Sequence, residues 1–274
     1  MTGRRQVAYL VLVPVTALFA FPLVWLGFGV FRPAGELLSH RLSPLPQEWT
    51  LRNLRTVFAG QIDIPRYAWN TLVLCGLRAV GTVLASSLAA YAFTKLNFPG
   101  RRALFVLTLC LLILPTWAMV VPQYRLFDSL GWLGTIKPLT VPLFFGDPFT
   151  IFLLASFMRA VPAELSEAAE LDGAGHVRTY WHIVLPSIKP ALVVAAVLSV
   201  IDTYNDFFGQ IIYLNNDSQY TLALASFQYV KVHGAPDIGA IIAFTAISMI
   251  PLIVVFFLAQ RQLRETNASA GLKG

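Results

Sequence analysis

Residues 162–186 read PAELSEAAELDGAGHVRTYWHIVLP and separate two long apolar runs of the chain. Pro162 suits the first turn of a helix, where the missing N–H of proline is not needed. Gly173 stands where that helix should end, because glycine adopts a left-handed conformation at little cost. A second short helix is expected from Gly175 until just before Pro186. The stretch therefore predicts a helix–turn–helix elbow between two apolar segments.

The rest of the chain is unusually apolar. Of its 274 residues, 57% belong to the set AVILMFWYC and 12% are charged, whereas soluble domains average about 45–50% apolar and about 25% charged residues. This composition excludes a disordered chain and a disulfide scaffold and disfavours a soluble globular domain. The formal charge of +6 does not indicate nucleic-acid binding, because the basic residues stand singly or in pairs between apolar runs.

Six apolar runs approach the roughly 20 residues that a helix needs to cross the hydrocarbon core of a bilayer. We therefore predict an all-α membrane protein with six transmembrane helices in a single domain, residues 1–274. The predicted spans cover residues 7–31, 69–93, 103–121, 139–158, 187–213 and 238–259. The first run is longer than the apolar core of a signal peptide, so we expect it to be retained as a span.

The runs also carry signs of breaks and of orientation. The fourth contains Pro142, Gly146 and Pro148, so it is either a broken helix or a shorter helix that starts near Pro148. Basic clusters at residues 4–5 and 95–102 predict cytoplasmic positions, since Lys and Arg are enriched on that side. Both chain termini are therefore expected in the cytoplasm.

Three smaller predictions concern the loops and the cysteines. A short helix is expected near residues 51–58 of the first outer loop, and residues 122–138 are expected to form a second outer loop. Cys75 and Cys110 lie in different apolar runs and show neither metal-ligand spacing nor a disulfide framework. Both are therefore predicted to be buried packing thiols.

The first predicted helix of the elbow is acidic. Its four carboxylates are those of Glu164, Glu167, Glu170 and Asp172. A helix that lies on a membrane surface usually carries Lys and Arg on its polar face instead. One narrow face, at positions i, i+3, i+4 and i+7, is formed by Leu165, Ala168, Ala169 and Asp172. Because small side chains allow close approach, a protein partner is favoured over an amphipathic helix resting on the bilayer.

The elbow contains three spaced elements in order: Glu167-Ala168-Ala169, Asp172-Gly173-Ala174 and Ile183-x-Leu185-Pro186. This long pattern resembles the EAA loop of permease subunits of bacterial ATP-binding-cassette importers. Further similarities to carbohydrate-importer permeases occur in order over about residues 70–207, among them Asn70-Thr71, Phe98-Pro99-Gly100-Arg101 and Asn205-Asp206-Phe207. The chain is most similar to the shorter, maltose-permease-like second subunit. The resemblance implies the type I importer permease fold, with residues 159–186 as its coupling-helix loop.

The resemblance also implies a function. Such a subunit passes a sugar or sugar derivative from an extracytoplasmic binding protein into the cytoplasm, in the bacterial plasma (inner) membrane. The implied partners are a second permease subunit that completes a heterodimer, a dimer of ATP-binding-cassette ATPases, an extracytoplasmic sugar-binding lipoprotein and the lipid bilayer, with no nucleic acid.

ATP hydrolysis is assigned to the partners. The chain has no G-x-x-x-x-G-K-[ST] phosphate loop, so it is predicted to be a transport subunit and not an enzyme. No cofactor is expected to bind it directly, because ATP and Mg²⁺ are used by the partner ATPase, and no catalytic or metal-binding residue is predicted. The implied coupling interface with the ATPase comprises Glu164, Leu165, Glu167, Ala168, Ala169, Asp172, Gly173, Ala174, Ile183, Leu185 and Pro186.

Polar and aromatic residues cluster within the fifth predicted span. They are Asp202, Tyr204, Asn205, Asp206, Phe207 and Gln210. Ionisable groups at membrane depth are expensive and usually face a cavity or a partner. The cluster therefore either lines a substrate pathway or holds helices together. Arg78, in the second span, is expected to pair with an acidic residue that the sequence does not identify.

Two other functions remain open. One is the same class of importer with a non-sugar cargo, such as a glycerophosphodiester or a polyol. The other, less favoured, is an ATP-independent secondary carrier, which often shows repeat symmetry between its halves. Copurification with an ATPase separates the carrier from both importers.

Overall fold

The computed structural model describes residues 2–39, 43, 45–59, 63–225 and 237–271, and within these ranges every regular element is helical. The chain groups into two compact units. The first unit comprises Met1–Arg66 and Leu222–Pro251, and the second comprises Tyr67–Thr221 and Leu252–Gly274. The prediction of a single permease domain over residues 1–274 stays a prediction.

The first unit contains the N-terminal span. Helix α1 (Thr2–Gly29) runs without interruption through Pro14 and Pro22, which confirms the first predicted span. Two short helices follow, α2 (Ala34–Leu37) and α3 (Arg52–Ala59), and α3 confirms the helix predicted near residues 51–58.

Asn53 holds α3 in place within this unit. Its buried amide donates from Nδ2 to the carbonyls of Val30 and Arg32 at 2.9 and 2.8 Å. A Cβ at Gly239 would collide with the same amide. Both carbonyls lie just beyond the end of α1, so one side chain supplies bonds that the helix itself does not.

The second predicted span lies in the second unit, which starts at Tyr67. Helix α4 (Ile64–Lys95) is continuous over 32 residues and is longer than the predicted span 69–93. Near its start, the Asn70 amide donates to the carbonyls of Ser218 and Tyr220, both at 2.9 Å. This side chain therefore ties a distant loop to α4.

The third predicted span, residues 103–121, coincides with two helices that meet at a bend. Helix α5 (Arg101–Cys110) continues as a 3₁₀ turn over Leu111–Ile113, and α6 (Thr116–Ser129) follows at an angle of 100°. Leu114 is extended, with φ −68° and ψ 124°, as expected for a residue that precedes a proline. Helix α6 also runs through Pro122, so the predicted outer loop at 122–138 is helical as far as Ser129.

The fourth predicted span is a short helix preceded by irregular turns. Helix α7 (Lys137–Thr140) passes into a 3₁₀ turn (Val141–Phe145), and α8 spans Pro148–Arg159. Asp147 caps α8, because its carboxylate accepts a hydrogen bond from the Thr150 N–H at 2.7 Å. This confirms the alternative of a helix that starts near Pro148.

The elbow and the fifth predicted span consist of short pieces. The elbow contains α9 (Ala163–Leu171), α10 (His176–Thr179), a π turn (Tyr180–Val184) and α11 (Leu185–Ser187). Its second arm therefore runs past Pro186, where it was predicted to end. Helices α12 (Lys189–Asn205) and α13 (Phe207–Tyr213) follow. The single span predicted over 187–213 is corrected, since the chain breaks at Asp206, whose φ is −76° and ψ 63°.

The last helix, α14 (Ile238–Gly271), continues well beyond the predicted span 238–259. By length and composition, the described residues contain four helices able to cross a membrane, or up to six if each of two bent helix pairs is one span. The six predicted spans match the upper number.

One cysteine prediction is correct and the other is wrong. Cys75 is buried, whereas Cys110 is exposed. An apolar residue of a membrane protein can face lipid as readily as a protein core, because lipid tails are as apolar as leucine. An apolar run therefore predicts a span without predicting which of its residues are buried.

Candidate functional site

The first helix of the elbow is built as the sequence indicates, with one shift at its start. Pro162 is the N-cap residue, with φ −51° and ψ 136°, and the helix begins at Ala163. Proline was predicted one position later, in the first turn. Glu164 lies in the first turn, where a carboxylate interacts favourably with the positive end of the helix.

Gly173 ends this helix in the predicted left-handed conformation, with φ +79°. The Gly173 N–H donates to the Glu170 carbonyl at 3.0 Å, and the Ala174 N–H donates to the Ala169 carbonyl at 2.8 Å. This pair of bonds is a Schellman motif, which satisfies carbonyls that the helix leaves open. The corner of the elbow is thus closed by its own backbone.

The elbow is held firmly by α4. The Ser87 and Tyr180 hydroxyls are hydrogen-bonded at 2.8 Å, and the Tyr91 hydroxyl donates to the His176 carbonyl at 3.1 Å. The Lys95 ammonium donates to the Val161 carbonyl at 2.9 Å. These contacts hold the second arm of the elbow and the residue just before its first arm, so the position of the elbow depends on the end of α4.

We expect Tyr91→Ala to destabilise the protein more than Tyr91→Phe. The Tyr91 and Tyr180 rings pack with centroids 5.2 Å apart, and loss of a buried aromatic side chain costs about 3–5 kcal/mol. Tyr91→Phe keeps the ring and loses one hydrogen bond, worth about 1 kcal/mol. Thermal unfolding of the purified protein measures both. If both variants lost the same stability, packing of the Tyr91 ring would not be its main contribution.

The residues predicted for coupling differ in exposure. Those that are exposed are Glu164, Leu165, Glu167, Ala168, Asp172, Gly173 and Pro186, and those partly buried are Ala174, Ile183 and Leu185. Ala169 is buried, with 7% of its surface exposed. Its placement on an accessible face is therefore corrected, because its side chain packs inside the protein.

The apolar tip of the elbow was missed by sequence reasoning. Leu171 is 90% exposed and Val177 is 74% exposed, on either side of the corner at Gly173. Trp181 is 51% exposed on the second arm. One sign of this tip is present in the sequence, because Leu171 and Val177 are large apolar residues beside a turn in an otherwise polar stretch.

The membrane-depth polar cluster has a basic partner within the same unit. Arg78 is buried and donates from Nη1 to Asp206 Oδ2 at 2.8 Å and from Nη2 to Asp202 Oδ2 at 3.1 Å. Asp206 Oδ1 also accepts the Gly209 N–H at 2.9 Å and so caps α13. The acidic partner expected for Arg78 is thus identified as a pair of carboxylates.

The other residues of the predicted pathway separate. Gln210 is buried, donates to the Thr203 carbonyl at 3.0 Å and accepts from the Thr221 hydroxyl. Its assignment to a substrate pathway is corrected, because its amide holds helices together. Asn205 and Phe207 are exposed and Tyr204 is partly buried. Within the described ranges, no group of three or more His, Cys, Asp or Glu residues could hold a metal ion.

The family described as "Binding-protein-dependent transport system inner membrane component" matches residues 81–266, more than half of the chain. The chain belongs to this family. It is therefore a multi-pass transport component of an inner membrane, and its elbow and Arg78 cluster both lie in or beside the matched region.

Two relatives of this transport component span nearly the same length. The probable ABC transporter permease protein YurM of Bacillus subtilis is 32% identical, over 93% of this chain and 84% of that protein. The trehalose/maltose transport system permease protein MalG of Thermococcus litoralis is 30% identical, over 93% of this chain and 91% of that protein. The transport component is thus similar to permease subunits over almost all of its length.

A solved structure confirms the fold class predicted for the transport component. A chain of a bacterial ABC transporter involved in the import of the acidic polysaccharide alginate superposes with a TM-score of 0.82. The superposition covers 93% of this chain and 95% of that chain at 19% sequence identity. The predicted all-α permease architecture is therefore correct.

Proposed function

We propose that the chain is the permease subunit of an ATP-driven importer that passes a sugar or sugar derivative from an extracytoplasmic binding protein into the cytoplasm. The family to which it belongs is that of binding-protein-dependent transport components. Relatives at 26–30% identity are named for the transport of trehalose and maltose, diacetylchitobiose, and lactose. These names support a carbohydrate cargo.

The single observation that carries the coupling role is the shape of the elbow. It presents acidic side chains on α9 and exposes Leu171 at its corner, 90% accessible. Burying a leucine side chain is worth roughly 1.5–3 kcal/mol, so an apolar tip on a rigid corner suits insertion into a groove. The carboxylates around the tip favour a groove with basic residues at its rim. An ATPase subunit of the importer is the proposed occupant.

The proposed assembly follows from this docking. A second permease subunit completes a heterodimer in the bilayer, two ATPase subunits receive the elbows, and an extracytoplasmic sugar-binding lipoprotein delivers cargo. The elbow and both termini lie in the cytoplasm. The ATPases bind ATP and Mg²⁺, and their closure draws the elbows together. The chain itself is a transport subunit without catalytic residues or a cofactor of its own, and nucleic acid has no part.

A second cargo class is kept open by one relative. The osmoprotective compounds uptake permease protein GgtD of Synechocystis is 27% identical over 92% of this chain. A small polar osmolyte would use the same elbow and the same partners. The cargo class is decided by assaying osmolytes beside sugars in the uptake experiment below.

We expect Leu171→Ala to weaken association with the ATPase at least fivefold, because the leucine would lose most of its buried surface in the groove. The tagged chain is expressed with the other subunits of its transporter, and the ATPase recovered with it is quantified. ATP-dependent uptake of sugars and osmolytes is measured in the same preparation.

Leu12→Ala is the matched control, since Leu12 is 56% exposed on α1, far from the elbow in sequence. Its ATPase recovery should stay within twofold of wild type. A wild-type chain that copurifies with no ATPase, or uptake that proceeds without ATP, would favour a secondary carrier instead.

A further inference from the structure

Three helix breaks in the second unit open onto one cavity. They lie at residues 114–115 between α5 and α6, at 146–147 before α8, and at Asp206 between α12 and α13. Residues from all three breaks line a cavity of about 630 Å³, which we call the break cavity. This volume is within the range of roughly 300–1,000 Å³ that small-molecule sites occupy.

The position of Arg78 along α4 places the break cavity near the middle of a candidate membrane span. Arg78, which lines it, is near the middle of the 32-residue helix α4. Irregular backbone at this depth is tolerated where it is buried in protein or borders a water-filled space. Three breaks around one space therefore indicate a water-accessible cavity in the permease subunit.

The lining combines aromatic and hydrogen-bonding groups. Trp117 is 67% exposed. Its ring packs edge-to-face against that of Phe208, with the ring centroids 4.3 Å apart. Gln123 also lines the cavity and accepts a hydrogen bond from the Tyr213 hydroxyl at 3.5 Å. An aromatic surface beside amide and carboxylate groups suits a ligand with apolar ring faces and many hydroxyls.

Asp147 contributes a carboxylate to the same space. Its Oδ2 accepts from both the Thr150 N–H and the Thr150 hydroxyl at 2.7 Å, and no described hydrogen bond uses Oδ1. Among the described residues that line the cavity, Arg78 is paired with Asp206, so Asp147 leaves an excess negative charge. This charge disfavours an anionic ligand, because like charges in one cleft repel each other.

We propose that the break cavity is a carbohydrate contact site of this subunit, selective for uncharged sugars. Trp117 supplies the platform for a sugar ring, and Gln123 and Asp147 hydrogen-bond its hydroxyls. This assignment rests on the proposed function as a sugar importer. In this site the substrate contacts residues on α6 and at the start of α8. It does not contact Gln210, which was predicted to line the pathway but is buried.

The test uses the complete transporter in proteoliposomes, with its binding protein and ATPases. Uptake of glucose, maltose, maltotriose and digalacturonate is measured beside ATP hydrolysis stimulated by the loaded binding protein. Trp117→Ala and Gln123→Ala should each lower uptake of the preferred neutral sugar at least fivefold and change the ratios among sugars. Stimulated ATP hydrolysis should stay within twofold, because the elbow is untouched.

Three further variants make the result specific. Trp117→Phe, which keeps an aromatic face, should retain at least half of wild-type uptake. Asp147→Asn should raise the ratio of digalacturonate to neutral-sugar uptake at least threefold, since the excess charge is removed. Val121→Ala and Leu126→Ala, at positions 66% and 54% exposed on the same helix α6, are matched controls expected within twofold of wild type.

Two results would overturn the site. If wild type imports sugar while the Trp117 and Gln123 variants behave like the two controls, the site alone is wrong and the proposed function stands. If wild type imports none of the sugars, both the site and the sugar-importer function are wrong.

Discussion

Gly173→Val is expected to leave the transporter assembled in the membrane and to reduce its ATP-driven uptake at least tenfold. Gly173 has φ +79°, a conformation that costs an L-residue about 1–2 kcal/mol and a β-branched residue more. Since 1.4 kcal/mol is a factor of ten in an equilibrium constant, this strain is enough to displace the corner from its functional geometry.

The strain at this position comes from the backbone alone. A Cβ built on Gly173 would meet no described atom within 4 Å. The Schellman bonds that close the corner both depend on the left-handed conformation. Valine would therefore open the corner and change the angle between α9 and the second arm, without disturbing the packing of any span.

The matched control is Gly175→Val, two residues further on. Gly175 has φ −74° and ψ 166°, an extended conformation open to any residue, and a Cβ there also meets no described atom within 4 Å. Uptake should stay within threefold of wild type. ATP hydrolysis and uptake are measured in the same vesicles, so that uncoupling is distinguished from loss of assembly. Normal uptake by Gly173→Val would show that the corner geometry has no part in coupling.

Arg78→Ala is expected to destabilise the protein by about 3–5 kcal/mol, because it leaves the largely buried Asp206 carboxylate without its charged partner. The Asp202 side chain is 76% exposed, so little of the loss is expected to come from that carboxylate. We expect a large fall in the unfolding temperature of the purified protein and in the amount of chain recovered from membranes.

Neutralising Asp206 and neutralising Asp202 should restore different amounts of the stability lost in Arg78→Ala. Asp206 lies at 2.8 Å from Arg78 with 27% of its side chain exposed, whereas Asp202 lies at 3.1 Å with 76% exposed. Asp206→Asn should therefore restore more stability to Arg78→Ala than Asp202→Asn does. A double-mutant cycle gives each coupling energy directly.

Arg159→Ala is the control for loss of an arginine. Its guanidinium lies over the Phe105 ring at 4.9 Å on an exposed part of α8, a contact worth about 0.5–1 kcal/mol. Its unfolding temperature should fall only slightly. Stability equal to wild type in Arg78→Ala would mean that water in the break cavity already solvates the Asp206 carboxylate.

Local chemistry explains what could be predicted from the sequence. The conformation of Gly173, the start of α8 near Pro148 and the positions of the apolar runs depend on residues within a few positions of one another. The 100° bend after α5 also has a local cause in Pro115, which the predicted span 103–121 did not take into account. The resemblance of the elbow to the EAA loop of importer permeases then indicated which all-α membrane fold to expect.

Contacts between residues distant in sequence could not be predicted in this way. Arg78 meets Asp206 across 128 positions, and Asn70 meets Tyr220 across 150, so no helical periodicity relates them. Gln210 looked like a pathway residue until its bonds to Thr203 and Thr221 placed it inside the unit.

The sequence by itself determined that this is an α-helical membrane chain with an acidic elbow closed at a glycine, because hydropathy and backbone conformation are local properties. The tertiary structure alone decided which apolar residues are exposed, as with Cys110 and Leu171, and which polar residues are buried. It also brought three helix breaks from separate parts of the chain around one cavity. The reason is physical: lipid and protein interiors are both apolar, so only packing distinguishes a residue that faces one from a residue that faces the other.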